Sequence, residues 1–181
     1  MHNLNQKSVK ISLTVIKQTG GLTMSDHDEK DVLTLLAKTH AATKKQLEGI
    51  DLQKVAHEDS GWRVRDIVGH LAVWNLQSAK SLQAYCEGGE YAIPDAGNEN
   101  AFNQKECERQ KKLTTQQIMG EWEKSYEAFK KAVSDVPQGK LTGEMLFPWG
   151  GERGDVPLLV KYMCNHEVEH REEIRKAIEG G

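Results

Sequence analysis

Two histidines four residues apart, in the stretch NHEVEHREEI from Asn165 to Ile174, carry the clearest chemical signal in the chain. On a helix, such positions project about 40° from each other, so His166 and His170 can turn ring nitrogens toward one ion. Written H-E-x-x-H, the run also spells the zinc-protease signature, whose glutamate acts as general base. That chemistry needs a third ligand downstream, and only 11 residues follow His170. The extended protease form requires glycine at position 173 and histidine at position 176, where this chain has Glu173 and Lys176. A di-iron bundle would need a second E-x-x-H unit besides Glu167–His170, and the sequence contains none.

A third ligand must then come from another helix. His70 is the best placed, because Ile67 and Trp74 put it on the apolar stripe of an upstream helix, where an unpaired imidazole is costly. Three neutral imidazoles from two helices can hold a divalent ion and leave coordination positions open for water or substrate. Taken alone, the histidines leave open a core arrangement in which they hydrogen-bond one another. His40 also lies on an inward stripe and is open to use as a spare ligand or a pocket wall, with core packing the reading preferred, whereas His57 falls in a polar loop. Cys164 sits about 160° around the helix from His166 and faces elsewhere. Glu167 and Glu169 flank the pair, each about 80° from its midline, and are the candidate general bases. Glu173 lies closer to the line of the two histidines, and sequence does not choose among the three.

The elements that must position these residues are helical, since four segments repeat at the helical period and none alternates at period two. The first begins at Ser25, with Asp28 completing a capping box, and places Leu33, Leu36, His40, Thr43 and Leu47 on one stripe. The second runs from about Val64 to Cys86, and Gly88-Gly89 stops it. Thr114 and Gln117 open the third, which carries Ile118, Trp122, Tyr126, Phe129 and Val133. The fourth starts after Asp155, with Pro157 in its first turn, and bears Leu159, Tyr162, Met163, His166, His170 and Ile174. Between the second and third lie Glu87 to Leu113, too many residues for a tight turn; ENAFNQKECERQKK within them reads as a short surface helix. The stretch FPWGGERGD reads as a turn or small hairpin. The expected fold is all-α, a four-helix bundle with a long crossover between helices 2 and 3.

Composition excludes several classes. The net charge of −3 offers no basic surface for nucleic acid, and no apolar run approaches a membrane span. Three cysteines without a CxxC pair favour a reducing, cytoplasmic setting over a disulfide framework. Residues 1–23 hold Lys7, Lys10 and Lys17 and no acid, and read as a loose extension before a 24–181 domain that begins at Met24.

The chain resembles the DinB-like superfamily, which includes mycothiol- and bacillithiol-dependent enzymes. The similarity rests on GWRVRDIVGHLAVWN (Gly61–Asn75), on HEVEHREEI (His166–Ile174) and, less specifically, on IPDAGNENAFNQ (Ile93–Gln104). Arg63 departs from the Ser or Thr found at that position in many relatives, leaving Asp66 to meet the helix N-terminus. The resemblance implies a divalent ion, usually zinc or nickel, on His70, His166 and His170. It implies an enzyme, a transferase, isomerase or hydrolase, that activates a low-molecular-weight thiol or water against a small electrophile. A non-catalytic protein that sequesters a small molecule or metal is the alternative. Trp74, Asn103, Trp149 and Tyr162 are the expected pocket wall, and a homodimer the expected assembly.

Overall fold

The structure, a computed structural model, describes residues 29–179. The extension expected over residues 1–23 and the Ser25 cap lie outside the described residues. Helix α1 spans Glu29–Leu47, a hairpin of β1 (Val55–His57) and β2 (Trp62–Arg63) follows, and α2 runs Val64–Cys86. Helix α3 (Glu99–Gln110) lies in the crossover, α4 spans Thr115–Ser134, a second hairpin pairs β3 (Met145–Leu146) with β4 (Arg153–Gly154), and α5 closes with Val156–Glu179. The all-α bundle with its long connection between the second and third bundle helices is therefore present.

Local chemistry sets the helix starts. Thr114 and Gln117 form a reciprocal capping box, Gln117 N–H to Thr114 Oγ1 at 3.2 Å and Thr114 N–H to Gln117 Oε1 at 2.8 Å. Asp155 Oδ1 accepts from Leu158 N–H at 2.8 Å at the head of α5, as its position before Pro157 suggests. At α2 only half a box exists: Arg63 N–H donates to Asp66 Oδ2 at 2.9 Å, and a guanidinium has no acceptor to return the bond.

Helix α2 packs chiefly on α4 and α1 chiefly on α5, so the bundle consists of two tightly matched pairs. The crossover helix docks on α2 where Gly69 leaves room. Gln110 Nε2 donates to the Gly69 carbonyl at 2.8 Å, and a β-carbon at Gly69 would stand 2.5 Å from Gln110 Oε1. Arg65 holds the C-terminal end of α3 and the turn after it by donating to the carbonyls of Gln110 (3.1 Å) and Leu113 (2.7 Å).

The apolar core divides into two clusters. One contains Leu36, Trp74, Phe129, Phe147 and Met163; the other contains Leu47, Ile67, Leu71, Trp122 and Ile174. Between them, at one level of the bundle, lie buried polar side chains: Thr39, His40 and Thr43 of α1, His70 of α2, Ser125 of α4, and Glu167 and His170 of α5. The first hairpin, absent from the period-two reading of the sequence, is held by short-range turn geometry. It is three residues against two, with Gly61 at φ 70° in the turn, too short to show alternation.

Candidate metal centre

Three imidazoles meet in that polar layer. His70 Nε2 and His170 Nε2 each stand 3.0 Å from His166 Nε2, and all three ligand atoms lie within 4.8 Å of one another. The rings meet at steep angles of 70°, 82° and 73°, pointing nitrogens rather than faces at a common centre. Nitrogens on a tetrahedral zinc stand about 3.3 Å apart, from Zn–N bonds of about 2.0–2.1 Å, so the spacing suits one small cation.

Hydrogen bonding alone satisfies this arrangement poorly. His170 Nδ1 donates to Glu173 Oε2 at 2.5 Å, which leaves its Nε2 as a bare lone pair. His166 Nε2 carries at most one proton in the neutral ring and cannot aim it straight at both neighbours. Burial, reinforced by the neighbouring imidazoles, pushes His70 and His166 well below the usual histidine value, so added protons do not resolve the conflict. A divalent cation satisfies all three lone pairs at once, and the residues therefore fit the group.

Glu173 is the carboxylate in contact with the cluster. Burial works to raise its carboxyl, yet the hydrogen bond from His170, with His57 behind, holds it below the ordinary glutamate value. Such a carboxylate fixes the tautomer and aim of a ligand imidazole. Among the described residues, neither Glu167 nor Glu169 is hydrogen-bonded to a cluster imidazole. Glu169 is exposed on α5. Glu167 is buried beside Thr43 of α1, and burial raises its carboxyl despite Thr43 and Arg171. Glu173, rather than either of these two, is the carboxylate bonded to a ligand imidazole. The i, i+3 spacing of His170 and Glu173 was the available sequence signal.

The four residues expected to wall the pocket form a connected group beside the cluster, and of them Asn103 lines the small cleft that reaches His70. Trp74 lies 6.4 Å from the His70 ring and 6.3 Å from Trp149, which lies 5.9 Å from Tyr162. Asn103 Oδ1 accepts from Trp74 Nε1 at 3.1 Å, tying the crossover helix to this wall. Glu152, unmarked in the sequence, accepts from Trp149 Nε1 and from the Tyr162 hydroxyl, both at 3.0 Å. Trp62 of the first hairpin, 5.5 Å from His70, is a further unanticipated neighbour. Together with Val73, Asn103 and Cys107 it lines a small cleft that reaches His70.

The model of one protein family, the mycothiol maleylpyruvate isomerase N-terminal domain, matches residues 33–163, well over half of the chain. The chain belongs to this family. This DinB-like membership agrees with the resemblance carried by the two histidine motifs, although the matched span holds His70 and ends just before His166. No curated protein matches the sequence. Among solved structures, the DinB-like bundle is similar to mycothiol-dependent maleylpyruvate isomerase, with TM-score 0.67 and 16% identity over 81% of this chain and 60% of that one. This chain thus spans less than two-thirds of the isomerase. It is also similar to an uncharacterised protein from Escherichia coli UTI89 (TM-score 0.68, 16% identity, 86% and 95% coverage). A third likeness is to YfiT from Bacillus subtilis, described as a probable metal-dependent hydrolase with an unusual four-helix bundle topology (TM-score 0.64, 15% identity, 91% and 93% coverage). At these identities the likeness to each structure is one of fold.

Proposed function

We propose that this DinB-like protein binds a divalent metal ion through His70, His166 and His170 and uses it against a small electrophilic substrate. The observation that carries the reading is the convergence of ring nitrogens from buried His70 and His170 and half-buried His166 within 4.8 Å. A divalent ion held by neutral nitrogens supplies Lewis acidity, which keeps a low-molecular-weight thiol or a water in its anionic form at neutral pH. The chain's own residues do the rest. Glu173 keeps the His170 proton on Nδ1 and so presents the Nε2 lone pair inward. Trp74, Trp149 and Tyr162 supply an apolar wall that excludes water from one side, while Asn103 and Glu152 hold those rings in place. The names of the isomerase and YfiT support thiol or water as the nucleophile by fold analogy.

Elemental analysis of the purified protein tests the first half: about one zinc or nickel ion per chain is expected, and none in the variant with His70, His166 and His170 all changed to Ala. Full occupancy in that variant removes the proposal. Incubation of metal-loaded protein with mycothiol, bacillithiol, glutathione or water and model electrophiles tests the second half. Product beyond one equivalent establishes turnover, whereas stoichiometric protection assigns the protein to sequestration.

A further inference from the structure

His57 has no assigned role in the reading above, yet it stands at the end of a chain of contacts that leads to the cluster. Its Nε2 lies 3.3 Å from Glu173 Oε2, the same oxygen that receives the His170 Nδ1 proton at 2.5 Å. We infer that His57 is a positioning residue for the metal centre, acting on His170 through Glu173. The inference rests on the three-histidine metal reading and extends it beyond the ligands and their carboxylate.

The fold puts this imidazole where it is by several independent ties. β1 and β2 pair with an irregular register between Val55 and His57, so that His57 stands opposite Trp62. Such bulges re-aim side chains beside functional sites. The turn is closed by Gly61 N–H to the His57 carbonyl at 2.8 Å, with Gly61 in the left-handed region at φ 70°. Lys54 Nζ donates to the Ile178 carbonyl at 3.1 Å and anchors the hairpin to the end of α5, the helix that carries Glu173 and both α5 histidines. Within the hairpin, Trp62 lies parallel to the His57 ring at 6.1 Å and reaches to 5.5 Å from His70. One short hairpin thus touches two sides of the cluster, His70 through Trp62 and His170 through Glu173.

The physical need for such a residue follows from the glutamate. Glu173 is partly exposed and sits on a flexible side chain, so a single bond to His170 leaves other rotamers open to it. A second partner on Oε2 selects the rotamer that faces His170. The aim and tautomer of that ligand are then set before an ion arrives, which is how outer partners raise metal affinity.

The test measures zinc affinity by chelator competition for wild type, His57→Ala, His57→Gln, Glu173→Gln and the double variant His57→Ala/Glu173→Gln. Expected is an affinity loss of about tenfold for His57→Ala, the lower end of the range for outer partners. His57→Gln, whose amide N–H offers Glu173 Oε2 a contact in place of the imidazole Nε2, recovers most of it. In the Glu173→Gln background the His57→Ala change has almost no further effect, because residues acting through one another are non-additive. The absorption bands of the cobalt-substituted protein shift in His57→Ala and return in His57→Gln, a response to ligand geometry that loss of hairpin packing alone does not reproduce. An unchanged affinity in His57→Ala, or an equal loss in both backgrounds, overturns the inference and leaves the metal site standing. A wild type that takes up no ion through the three histidines overturns the metal reading and this inference together.

Discussion

At the scale of single residues, the polar layer of the bundle separates groups that serve the cluster from groups that only share its depth. Glu173→Gln should weaken zinc binding by about 10–100-fold in a competition assay, while Glu169→Gln, on the exposed face, should leave it unchanged. His40 is a different case. Its ring stacks on Tyr126 at 3.7 Å and 2°, with Nε2 3.3 Å from Glu123. Burial lowers its pKa from 6.5, outweighing the upward pull of Glu123. The folded chain therefore holds fewer protons at this site than the unfolded chain at mildly acidic pH. The resulting stability is full above about 6.5 and is lost as pH falls through that value toward the lower folded one. Denaturant titrations between pH 7.5 and 5 should show a shallower acid loss for His40→Gln than for wild type. The sequence placed His40 inward correctly and could not show that its partners are Tyr126 and Glu123 rather than the cluster.

At the scale of elements, the crossover is decisive for the site although it contributes no histidine. Its helix α3 brings Asn103 to Trp74 and Gln110 to Gly69. In an exposed helix, Gly→Ala gains about 1 kcal/mol. At Gly69 the new methyl would meet the Gln110 side chain at 2.5 Å, so Gly69→Ala should instead destabilise by about 1–3 kcal/mol in urea unfolding. The sign should reverse in a Gln110→Ala background, where that side chain is gone. The sequence marked α3 as a short surface helix in ENAFNQKECERQKK, but not its docking, because Gly69 looks like any interruption of an apolar stripe. The hairpin of β1 and β2 escaped notice for a related reason. Its strands are too short to carry a period, and the bond that ties it to α5, from Lys54 Nζ to the Ile178 carbonyl, joins residues far apart in the chain.

At the scale of the whole molecule, the cluster joins the two helix pairs, since His70 belongs to the α2–α4 pair and His166 and His170 to the α1–α5 pair. An ion bound there links the halves. Ligand linkage at a hundredfold excess over Kd adds about 2.7 kcal/mol to folding stability, on the order of 5–10 °C in Tm for a chain of this size. Calorimetry of zinc-loaded and chelator-treated protein should show that gap, and the triple alanine variant should show none.

The long helices, the crossover and the three converging histidines are legible in the order of residues alone. Each of these is written in periodicity and in caps such as Thr114 and Asp155, which act within a few residues. Which carboxylate bonds to them is visible in the packed fold and not before. Glu167, Glu169 and Glu173 share one helix within a turn of the histidine pair, and their surroundings differ because α1 covers the first, the second is exposed among the described residues, and the hairpin brings His57 to the third. That choice depends on what packs against each face of α5, which is information carried by distant segments and not by the helix itself.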